Sequence, residues 1–228
     1  MRALVTGGTG FLGGALARRL RLQGDAVTVL GRNRTAGARL QAENMRFVWA
    51  DLTDAAAVNA ACAEQEVVFH CGATVAPWGR YQDFYATNVS GTQNIIRGCL
   101  EHKVARLIYV SIPSLYFAHQ DRLNVGEYHP LPAKLVNAYT ITKFQAEQAI
   151  DRAYRNGLPV ITLRPRAIFG PGDTTILPRV IHLGNCIAAS IPATLYAAIR
   201  QARLQRGDEV LLVGTGAGLS LGGVILVY

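Results

Sequence analysis

A glycine-rich turn near the N-terminus constrains the fold of this chain more than any other feature. Residues 2–5 form a short apolar run that predicts a buried strand, and the turn follows at residues 6–13 with the sequence TGGTGFLG. Leu12, Leu16 and Leu20 then recur at helical spacing. A strand, a glycine turn and a helix in this order predict a place where the backbone approaches a bound phosphate group closely.

Three glycines of this turn stand three residues apart, at Gly7, Gly10 and Gly13. Such glycines permit a tight turn, a close approach of the backbone to a pyrophosphate, and packing of the helix against the strand. Phe11 and Leu12 begin the helix, whose N-terminus would face the negative charge. We therefore predict that these residues bind a dinucleotide; the alternative is an ordinary flexible turn.

Apolar strands and helices alternate along the chain. The predicted strands cover residues 2–5, 26–30, 47–49, 67–70, 106–110 and 160–163, and the predicted helices cover 11–22, 55–62, 84–100 and 137–155. This alternation predicts an α/β protein with a doubly wound parallel sheet, whose ligand crevice lies at the carboxyl ends of the strands. The residues just past such ends, which we expect to share one site with the glycine turn, are Asp51, Cys71, Gly72, Ala73 and Ser111.

The residues after the second strand bear on which dinucleotide would bind. An acidic side chain at this point would hold the ribose hydroxyls of NAD, but the chain reads GRNR, with Arg32 and Arg34. A guanidinium group binds phosphate in a forked geometry, so NADP is favoured over NAD, unless both arginines are solvated loop charges. Asp51 could accept a hydrogen bond from the adenine amino group; alternatively, Asp51 or Asp54 caps a turn.

A tyrosine and a lysine could transfer a proton. Tyr139 and Lys143 lie four residues apart on a predicted helix, so their side chains face the same side. A nearby ammonium group favours the phenolate, so we expect Lys143 to lower the pKa of Tyr139. Tyr139 could then donate its proton to a carbonyl oxygen while a hydride arrives from a nicotinamide, and Lys143 could also hold the nicotinamide ribose. The alternative is a surface pair.

The composition narrows the class of protein. Half of the 228 residues are hydrophobic, yet no apolar run approaches the ~20 residues of a membrane span, and a strand begins too early to leave room for a signal peptide. We therefore expect a cytoplasmic protein. The net charge of +8 is spread along the chain without interleaved aromatic residues, which favours an anionic cofactor or acyl substrate over nucleic acid. The cysteines and histidines lack metal-ligand spacing, so no metal site is expected.

Several motifs within residues 1–180 together resemble the extended short-chain dehydrogenase/reductases. The resemblance is to the branch that contains the 3β-hydroxysteroid dehydrogenases and the 2-alkyl-3-oxoalkanoate reductases. The matching motifs are TGGTGFLG at 6–13, DL at 51–52, HCGA at 70–73, WGRYQDFY at 78–85, NVSGTQN at 88–94, YTITK at 139–143, LRP at 163–165 and FGPGD at 169–173. This likeness implies a Rossmann-like fold, NAD(P) binding, hydride transfer at a secondary alcohol or ketone, and often a homodimer.

The same resemblance implies roles for individual residues. Asn88 would help to order the active-site water and the lysine, Pro165 would lie near the nicotinamide, and Leu52 would join the cofactor-binding residues. The Ser or Thr that hydrogen-bonds the substrate oxygen in the family falls at Ile112, which cannot donate. Ser111 and Ser114 flank this position, and Ser111 either substitutes for the missing donor or satisfies backbone groups at the strand end. Losing such a donor costs about 10²–10³ in rate.

The tail resembles a different family. The substrate lobe of the reductases should continue well beyond residue 180, whereas residues 182–228 resemble the C-terminus of 3-ketoacyl-acyl-carrier-protein synthase III-type enzymes of the thiolase fold. The matching motifs are GNCIAASIP at 184–192 and GDEVLLVGTGAG at 207–218. Asn185 matches that family's active-site asparagine, but the nucleophilic cysteine and its histidine have no counterpart in this chain.

The two resemblances predict that the chain divides into two structural parts. Residues 1–180 would form the NAD(P)-binding domain with a truncated substrate lobe, and residues 181–228 a short thiolase-like fragment, fused or artefactual. Pattern alone predicts a helix at 192–204 and strands at 209–213 and 221–228, which either extend the sheet or lack the strands they would pair with.

We therefore predict an NAD(P)-dependent oxidoreductase that acts on a hydrophobic acyl or steroid-like ketone or β-keto acid. Tyr139 would be the acid, Lys143 its modulator, and Asn88 and Ser111 supporting residues. Two alternatives remain open: a sugar-nucleotide epimerase or dehydratase, and a catalytically silent dinucleotide-binding module.

Overall fold

The chain divides into two compact units, Met1–Arg166 and Ala167–Tyr228. The computed structural model describes residues 1–76, 78–118, 125–166, 168–173, 209–215 and 221–227. The first unit is built on a six-stranded sheet in which every paired strand is parallel. The predicted doubly wound α/β fold is therefore confirmed.

The strands of this sheet follow the order β3-β2-β1-β4-β5-β6. Their bounds are β1 Arg2–Thr6, β2 Ala26–Gly31, β3 Arg46–Trp49, β4 Val67–His70, β5 Arg106–Val110 and β6 Val160–Leu163. The chain reverses its direction of progress across the sheet between β1 and β4. Ligands of open parallel sheets bind in the crevice outside the carboxyl ends of the strands at such a switch point.

Six α-helical segments connect and cover the strands of the first unit in the part that the structure describes. They are α1 Phe11–Leu22, α2 Arg34–Ala42, α3 Ala55–Cys62, α4 Tyr81–Phe84, α5 Gly91–Glu101 and α6 Ala138–Arg155. A π-helical turn, Tyr85–Ser90, joins α4 to α5, and a short 3₁₀ helix, Pro113–Tyr116, follows β5. The helix predicted at 84–100 therefore begins three residues earlier and contains a widened turn.

Helix α2 was not predicted from the sequence. Its sequence, RTAGARLQA, has few apolar residues and a glycine in the middle, so no helical periodicity is visible. The structure supplies two other causes for the helix. The Asn33 side chain accepts a hydrogen bond from the Ala36 backbone N–H at 3.0 Å and caps the N-terminus. Gly37 packs so closely on Phe47 that a Cβ there would lie 2.2 Å from the ring.

Two apolar clusters pack on the two faces of the sheet. Alternate residues of β1 point into each, because successive side chains of a strand face opposite sides. Leu4 packs with buried residues of α3, α5 and α6. Ala3 and Val5 pack with buried residues of α1 and α2. The sheet is thus covered on both faces, and its carboxyl-terminal edge is left for the site.

The described part of the second unit contains two strands, β7 Glu209–Thr215 and β8 Leu221–Val227, which pair antiparallel with each other. In the described residues these two strands form a two-stranded sheet of their own. That this part of the chain is a thiolase-like fragment stays a prediction. The helix predicted at 192–204 and the residues Asn185 and Cys186 lie outside the described residues.

Candidate active site

A cavity of about 330 Å³ opens at the carboxyl ends of β1 to β4. Most of the residues that the sequence predicts to bind the cofactor line this cavity. They are Gly7, Gly10, Phe11, Leu12, Gly13, Arg32, Asp51, Leu52, Cys71, Gly72 and Ala73. Residues scattered over the first third of the chain therefore meet in one place, because the parallel strands deliver them to the same edge.

The cavity also has lining residues that sequence reasoning missed. They are Thr9, Leu30, Gly31, Asn33, Ala50 and Thr87. Thr9 lies within the glycine turn, and Leu30 ends the predicted second strand. Gly31, Asn33 and Ala50 adjoin predicted site residues, so the positions of these five could have been inferred. Thr87 lies in the π-helical turn, and the only available signal was its place directly before Asn88.

Glycine is required where the turn after β1 meets the loop after β4. Gly7 has a φ of 64°, and a Cβ at this residue would lie 2.6 Å from the Cα of Gly72. Gly13 is equally confined, since a Cβ there would lie 2.5 Å from the carbonyl oxygen of Gly7. Gly7, Gly13 and Gly72 therefore contribute bare backbone to the cavity wall.

The N-terminus of α1 faces this cavity without a side-chain cap. Gly10 is the N-cap residue, no side chain bonds to the first turn, and that turn has no acidic residue. Phe11, Leu12 and Gly13, which begin the helix, all line the cavity. The first backbone N–H groups of a helix have no partner within it and carry partial positive charge, so they suit an anionic group.

Two arginines follow β2: Arg32 lines the cavity, and Arg34 begins α2. Arg32 donates to the Asp51 carboxylate at 3.0 Å, and its side chain is 66% exposed. The guanidinium of Arg34 lies 4.1 Å from the centre of the Trp49 ring, and the Trp49 ring N–H donates to the Arg32 carbonyl oxygen. Each arginine therefore has one specific contact while its side chain stays exposed, and binding of a phosphate by either one stays a prediction.

The two aspartates near β3 have separate partners. Asp54 caps α3 by accepting from the Ala57 backbone N–H at 3.0 Å. Asp51 accepts from both the backbone N–H and the hydroxyl of Thr53. Burial alone would raise the pKa of Asp51, but the hydrogen bonds from Thr53 and Arg32 outweigh it and hold that pKa below its usual range. Asp51 is thus an anion at the cavity edge, and its contact with an adenine stays a prediction.

Tyr139 lies in the first turn of α6, which a capping box formed by Asn137 and Thr140 begins. Its ring packs 6.4 Å from that of Phe84, centre to centre. Burial raises the pKa of Tyr139 to about 12. The expectation that Lys143 lowers this pKa is therefore wrong for the protein as it stands, because desolvation of the phenolate is the dominant effect.

Lys143 is the second residue of the predicted proton-transfer pair. Its side chain is buried, and its Nζ donates to the Val110 carbonyl oxygen at 2.7 Å and lies 4.3 Å from the centre of the Tyr109 ring. Burial lowers the pKa of Lys143 to about 7, although Glu147 and Cys71 act in the opposite direction. Burial therefore weakens the usual preference of this amine for its charged form. Neither Lys143 nor Pro165 lines the cavity.

Ser111 is buried and already engaged. Its hydroxyl donates to the Glu147 carboxylate at 2.5 Å, and Arg164 donates to the same carboxylate. A serine has one hydrogen to donate, so Ser111 would have to leave Glu147 before it could donate to a substrate. Ile112, beside it, is half-buried and extended. Sequence reasoning missed Glu147, although it follows Lys143 by four residues on the same face of α6.

Asn88 connects the π-helical turn to two other segments. Its side-chain oxygen accepts from the Thr74 backbone N–H at 2.8 Å, and its amide donates to the Thr74 carbonyl oxygen and to the Thr142 hydroxyl. Thr142 directly precedes Lys143. Asn88 therefore holds the loop after the cavity residues 71–73 against the start of α6, and its predicted role in ordering a water stays a prediction.

A parallel sheet of this order, with an uncapped helix N-terminus and a glycine turn at its switch point, defines a Rossmann-like α/β protein. The protein-family model described as "NAD dependent epimerase/dehydratase family" matches residues 3–217. The chain belongs to this family.

Sequence relatives carry the names of ketone and sterol enzymes. The chain is 39% identical over 190 residues to a "2-alkyl-3-oxoalkanoate reductase" of Stenotrophomonas maltophilia, a match that covers 79% of this chain and 54% of the relative. It is 32% identical over 183 residues to the human "sterol-4-alpha-carboxylate 3-dehydrogenase, decarboxylating", covering 79% of this chain and 48% of the relative. The chain spans about half the length of the curated relatives it matches.

Solved structures share the fold. A short-chain dehydrogenase/reductase superfamily protein from Agrobacterium tumefaciens with bound NAD is 28% identical, with a TM-score of 0.64 over 72% of this chain and 48% of that chain. The dTDP-glucose 4,6-dehydratase DesIV from Streptomyces venezuelae, with NAD bound, is 27% identical, with a TM-score of 0.71 over 80% of this chain and 61% of that one.

The described residues bear on two further expectations, a membrane span and a metal site. No helix in that part of the chain combines the length and the apolar character needed to cross a membrane. Among the same residues, no group of three or more His, Cys, Asp or Glu side chains is arranged to hold a metal ion.

Proposed function

We propose that the chain is an NAD(P)-dependent oxidoreductase of the short-chain dehydrogenase/reductase type, which transfers a hydride to or from a ketone or secondary alcohol. The observation that carries this proposal is the cavity at the carboxyl ends of β1 to β4, with the glycine turn, the start of α1 and Gly72 in its wall. The names of relatives that are reductases and dehydrogenases support the type of reaction.

The residues of the cavity fit a dinucleotide. Gly7 and Gly72 leave bare backbone where a pyrophosphate would lie, and the uncapped N-terminus of α1 offers donors to it. Arg32, whose guanidinium pairs with Asp51, also lines this cavity. When bound, a nicotinamide dinucleotide would supply the hydride; everything else is done by side chains of this chain.

Tyr139 is the proton donor in this proposal. With a pKa of about 12 its phenol is protonated at neutral pH, so it is ready to donate to a ketone oxygen. Lys143, with a pKa of about 7, would gain a proton when the negative charge of a dinucleotide arrives nearby. An ammonium group there would favour the phenolate that Tyr139 leaves behind. Asn88 holds Thr142 and so fixes the backbone between these two residues.

We assign the substrate to the class of hydrophobic acyl or steroid-like ketones and β-keto acids. The segment that packs on Tyr139 through Phe84 exposes aromatic side chains: Trp78 is 83% exposed, and Tyr81 and Tyr85 are each 38% exposed. Exposed aromatic groups beside a proton donor suit an apolar substrate. A relative that is 32% identical over 181 residues is a "ketoreductase" for a farnesyl-bearing quinoline compound in Stigmatella aurantiaca.

The direct test incubates the purified full chain with NADPH or NADH and a panel of 2-alkyl-3-oxo acids and steroid ketones. We expect loss of absorbance at the reduced-nicotinamide band with at least one ketone, and none with Tyr139→Phe. Calorimetry of the same protein with each nucleotide measures binding separately. A well-folded chain that binds no nicotinamide nucleotide would overturn the proposal.

The second candidate is a sugar-nucleotide epimerase or dehydratase. The description of the matching family and the 27% identical dTDP-glucose 4,6-dehydratase structure favour it. The same panel separates it from the reductase, because conversion of a nucleotide sugar without net consumption of cofactor would support the epimerase reading.

The third candidate is a dinucleotide-binding module without catalysis. It is favoured by Ile112, which offers no hydroxyl, and by the engagement of Ser111 with Glu147. Nucleotide binding without turnover of any ketone or nucleotide sugar would support this candidate.

We further propose that NADP is preferred over NAD. Arg32 and Arg34 lie where an acidic residue would hold the ribose of NAD, and Arg32 is exposed enough to meet a 2′-phosphate. Arg32→Ala should weaken NADPH binding about tenfold or more, and NADH binding by much less, because one charged contact to phosphate is worth about 1.4 kcal/mol or more. Arg39→Ala on α2, an exposed arginine outside the cavity, is the matched control. Equal losses for both nucleotides would contradict the preference.

The remaining assignments concern the whole protein. We propose an NAD(P)-binding domain at 1–180, a thiolase-like fragment at 181–228, a homodimer, and a cytoplasmic location. The hairpin of β7 and β8 is compatible with such a fragment, whereas the family match runs on to residue 217. Sequencing of the DNA across codons 175–190 tests the junction, light scattering tests the dimer, and cell fractionation tests the location.

A further inference from the structure

We propose that His70 is a positioning residue, which ties the cavity wall at Gly72 to the π-helical turn at Asn88 through a chain of hydrogen bonds that runs in one direction. The expected effect on dinucleotide binding rests on the proposed function, because Gly72 lies in the wall of the proposed dinucleotide cavity. The hydrogen bonds around His70 do not depend on that function.

Four hydrogen bonds form this relay. The Gly72 backbone N–H donates to the Thr6 hydroxyl at 3.2 Å, and that hydroxyl lies 2.7 Å from His70 Nδ1. His70 Nε2 lies 3.0 Å from the Thr92 hydroxyl, which donates to the Asn88 carbonyl oxygen at 2.6 Å. The three side chains are almost fully buried, at 0% exposure for Thr6 and 1% for His70 and Thr92. Water therefore cannot replace these partners.

The direction of the relay follows from counting hydrogens. A threonine hydroxyl has a single hydrogen, and that of Thr92 is given to the Asn88 carbonyl, so the Thr92 oxygen must accept from His70 Nε2–H. His70 Nδ1 then has a free lone pair, which accepts from the Thr6 hydroxyl. The Thr6 oxygen in turn accepts from Gly72. A backbone donor and a backbone acceptor fix the two ends, so only the neutral imidazole with its hydrogen on Nε2 satisfies every member.

The environment of His70 supports the neutral form. Burial lowers the pKa of His70 to about 3, and the charge of Lys143 acts in the same direction. Tyr109 packs on the ring at 5.7 Å between centres. Among the described residues, Lys143 is the ionisable group that acts on this imidazole, and no carboxylate pairs with it.

The relay joins parts of the site that are far apart in sequence. At one end, Gly72 lies against Gly7 in the cavity wall. At the other end, Asn88 continues the network through its side chain to Thr74 and Thr142, beside Lys143. Breaking the relay should therefore loosen the wall that receives the dinucleotide, while Tyr139 keeps its own position in the capped first turn of α6.

The first test is independent of any activity. In the full chain labelled with ¹⁵N in its histidine rings, NMR at neutral pH should assign to His70 the neutral imidazole protonated at Nε2. A hydrogen on Nδ1, or a charged imidazolium, would overturn the relay even if the chain binds NADPH well. Because this test uses the unaltered protein, poor folding of a variant cannot confuse it.

The second test measures the consequence. Thr92→Val keeps the shape of the side chain but leaves His70 Nε2–H without its partner and removes the hydroxyl from the Asn88 carbonyl, so the Kd and KM for NADPH should rise about fivefold or more, with kcat changed by much less. Thr92→Ser restores the hydroxyl and should return Kd close to the original value. Thr28→Val, which removes a buried hydroxyl on β2 outside the relay, is the matched control.

Two outcomes of this second test would overturn the inference. One is an unchanged Kd in a folded Thr92→Val protein, and the other is a Thr92→Ser protein that behaves like Thr92→Val. If the unaltered chain binds no nicotinamide nucleotide, the proposed function fails while the NMR result still decides the relay.

Discussion

At the scale of single residues, the sequence resemblance predicts that a hydroxyl donor to the substrate oxygen is missing at Ile112. Ser111 cannot easily take over, because its hydrogen is given to Glu147 in a buried cluster that includes Arg164. A group that donates to developing negative charge contributes to rate far more than to binding.

Ile112→Thr should therefore raise kcat for ketone reduction by about 10²-fold, with little change in NADPH binding. Ile112→Val is the matched control, because valine has the branched shape of threonine without its hydroxyl. Steady-state kinetics of the two variants checks this prediction. Equal kcat values for the threonine and valine variants would contradict it.

Tyr139 carries a second prediction at this scale. Tyr139→Phe should lower kcat by about 10²–10⁴-fold while NADPH still binds, since only the proton donor is lost. In the unaltered protein, the pKa of about 12 keeps the phenol protonated, so reduction should proceed at neutral pH. Oxidation of the alcohol needs the phenolate and should accelerate as the pH rises. Rates measured in both directions against pH check this, and an oxidation rate independent of pH between 7 and 10 would speak against Tyr139.

At the scale of elements, α1 is held against the glycine turn by backbone proximity. Gly13→Ala should destabilise the fold and weaken NADPH binding, because the new Cβ would lie 2.5 Å from the Gly7 carbonyl oxygen, in a backbone that cannot move aside. The neighbouring Gly14→Ala is the matched control, since its Cβ would meet the Gly8 carbonyl oxygen only at 3.1 Å.

Replacing glycine by alanine within a helix adds about 1 kcal/mol of helix propensity in both variants. The difference in stability and affinity between the two variants therefore measures the effect of the short contact between the Cβ at residue 13 and the Gly7 carbonyl oxygen. Thermal unfolding and calorimetric titration measure it. The interpretation of the turn fails if the two variants lose equal stability and affinity.

How far the sequence predicted these elements depends on what holds each one. The strands and α1 have strong apolar patterns, and the glycine turn has a local signature, so their positions were predicted. Helix α2 depends on the Asn33 cap and on the contact between Gly37 and Phe47, which is long-range and leaves no periodic signal. The π-helical turn was also missed, because a period of 3.6 residues was assumed throughout its helix.

The sequence predicted the backbone features of the candidate site but not its ionisable behaviour. Backbone features of the cavity, such as Gly7 and Gly72, follow from the fold and from short motifs. Ionisable behaviour does not, since the pKa of Tyr139 depends on burial that only the packed structure reveals. The hydrogen bond from Ser111 to Glu147 likewise joins the residue after β5 to α6 across 36 residues of sequence, so no local pattern reveals it.

At the scale of the whole molecule, the buried imidazole of His70 makes stability depend on pH. Its pKa is about 3 in the folded state and about 6.5 when unfolded, so the unfolded chain binds more protons between these values. The free energy of unfolding should therefore be highest above pH 6.5 and fall as the pH drops toward 3. One such group gives a slope of up to about 1.4 kcal/mol per pH unit.

Chemical denaturation of the full chain at several pH values between 7 and 4 measures this slope. His70→Gln, whose side chain does not titrate, should show a shallower slope whatever its absolute stability. Identical slopes for the two proteins would show that other groups govern the acid response.

The widened turn between α4 and α5 has a consequence for how this protein can vary. Phe84, Asn88 and Thr92 are all buried and follow one another at intervals of four residues. In a uniform α-helix each such interval rotates by about 40°, so the third residue would point about 80° away from the first. The wider circumference of Tyr85–Ser90 absorbs that rotation. Loss of a single codon within this segment would shorten the interval from Phe84 to Thr92 by one residue, and in a regular α-helix the two side chains would then lie only about 20° apart. A shorter version of this segment could therefore keep the same buried face with a regular helix.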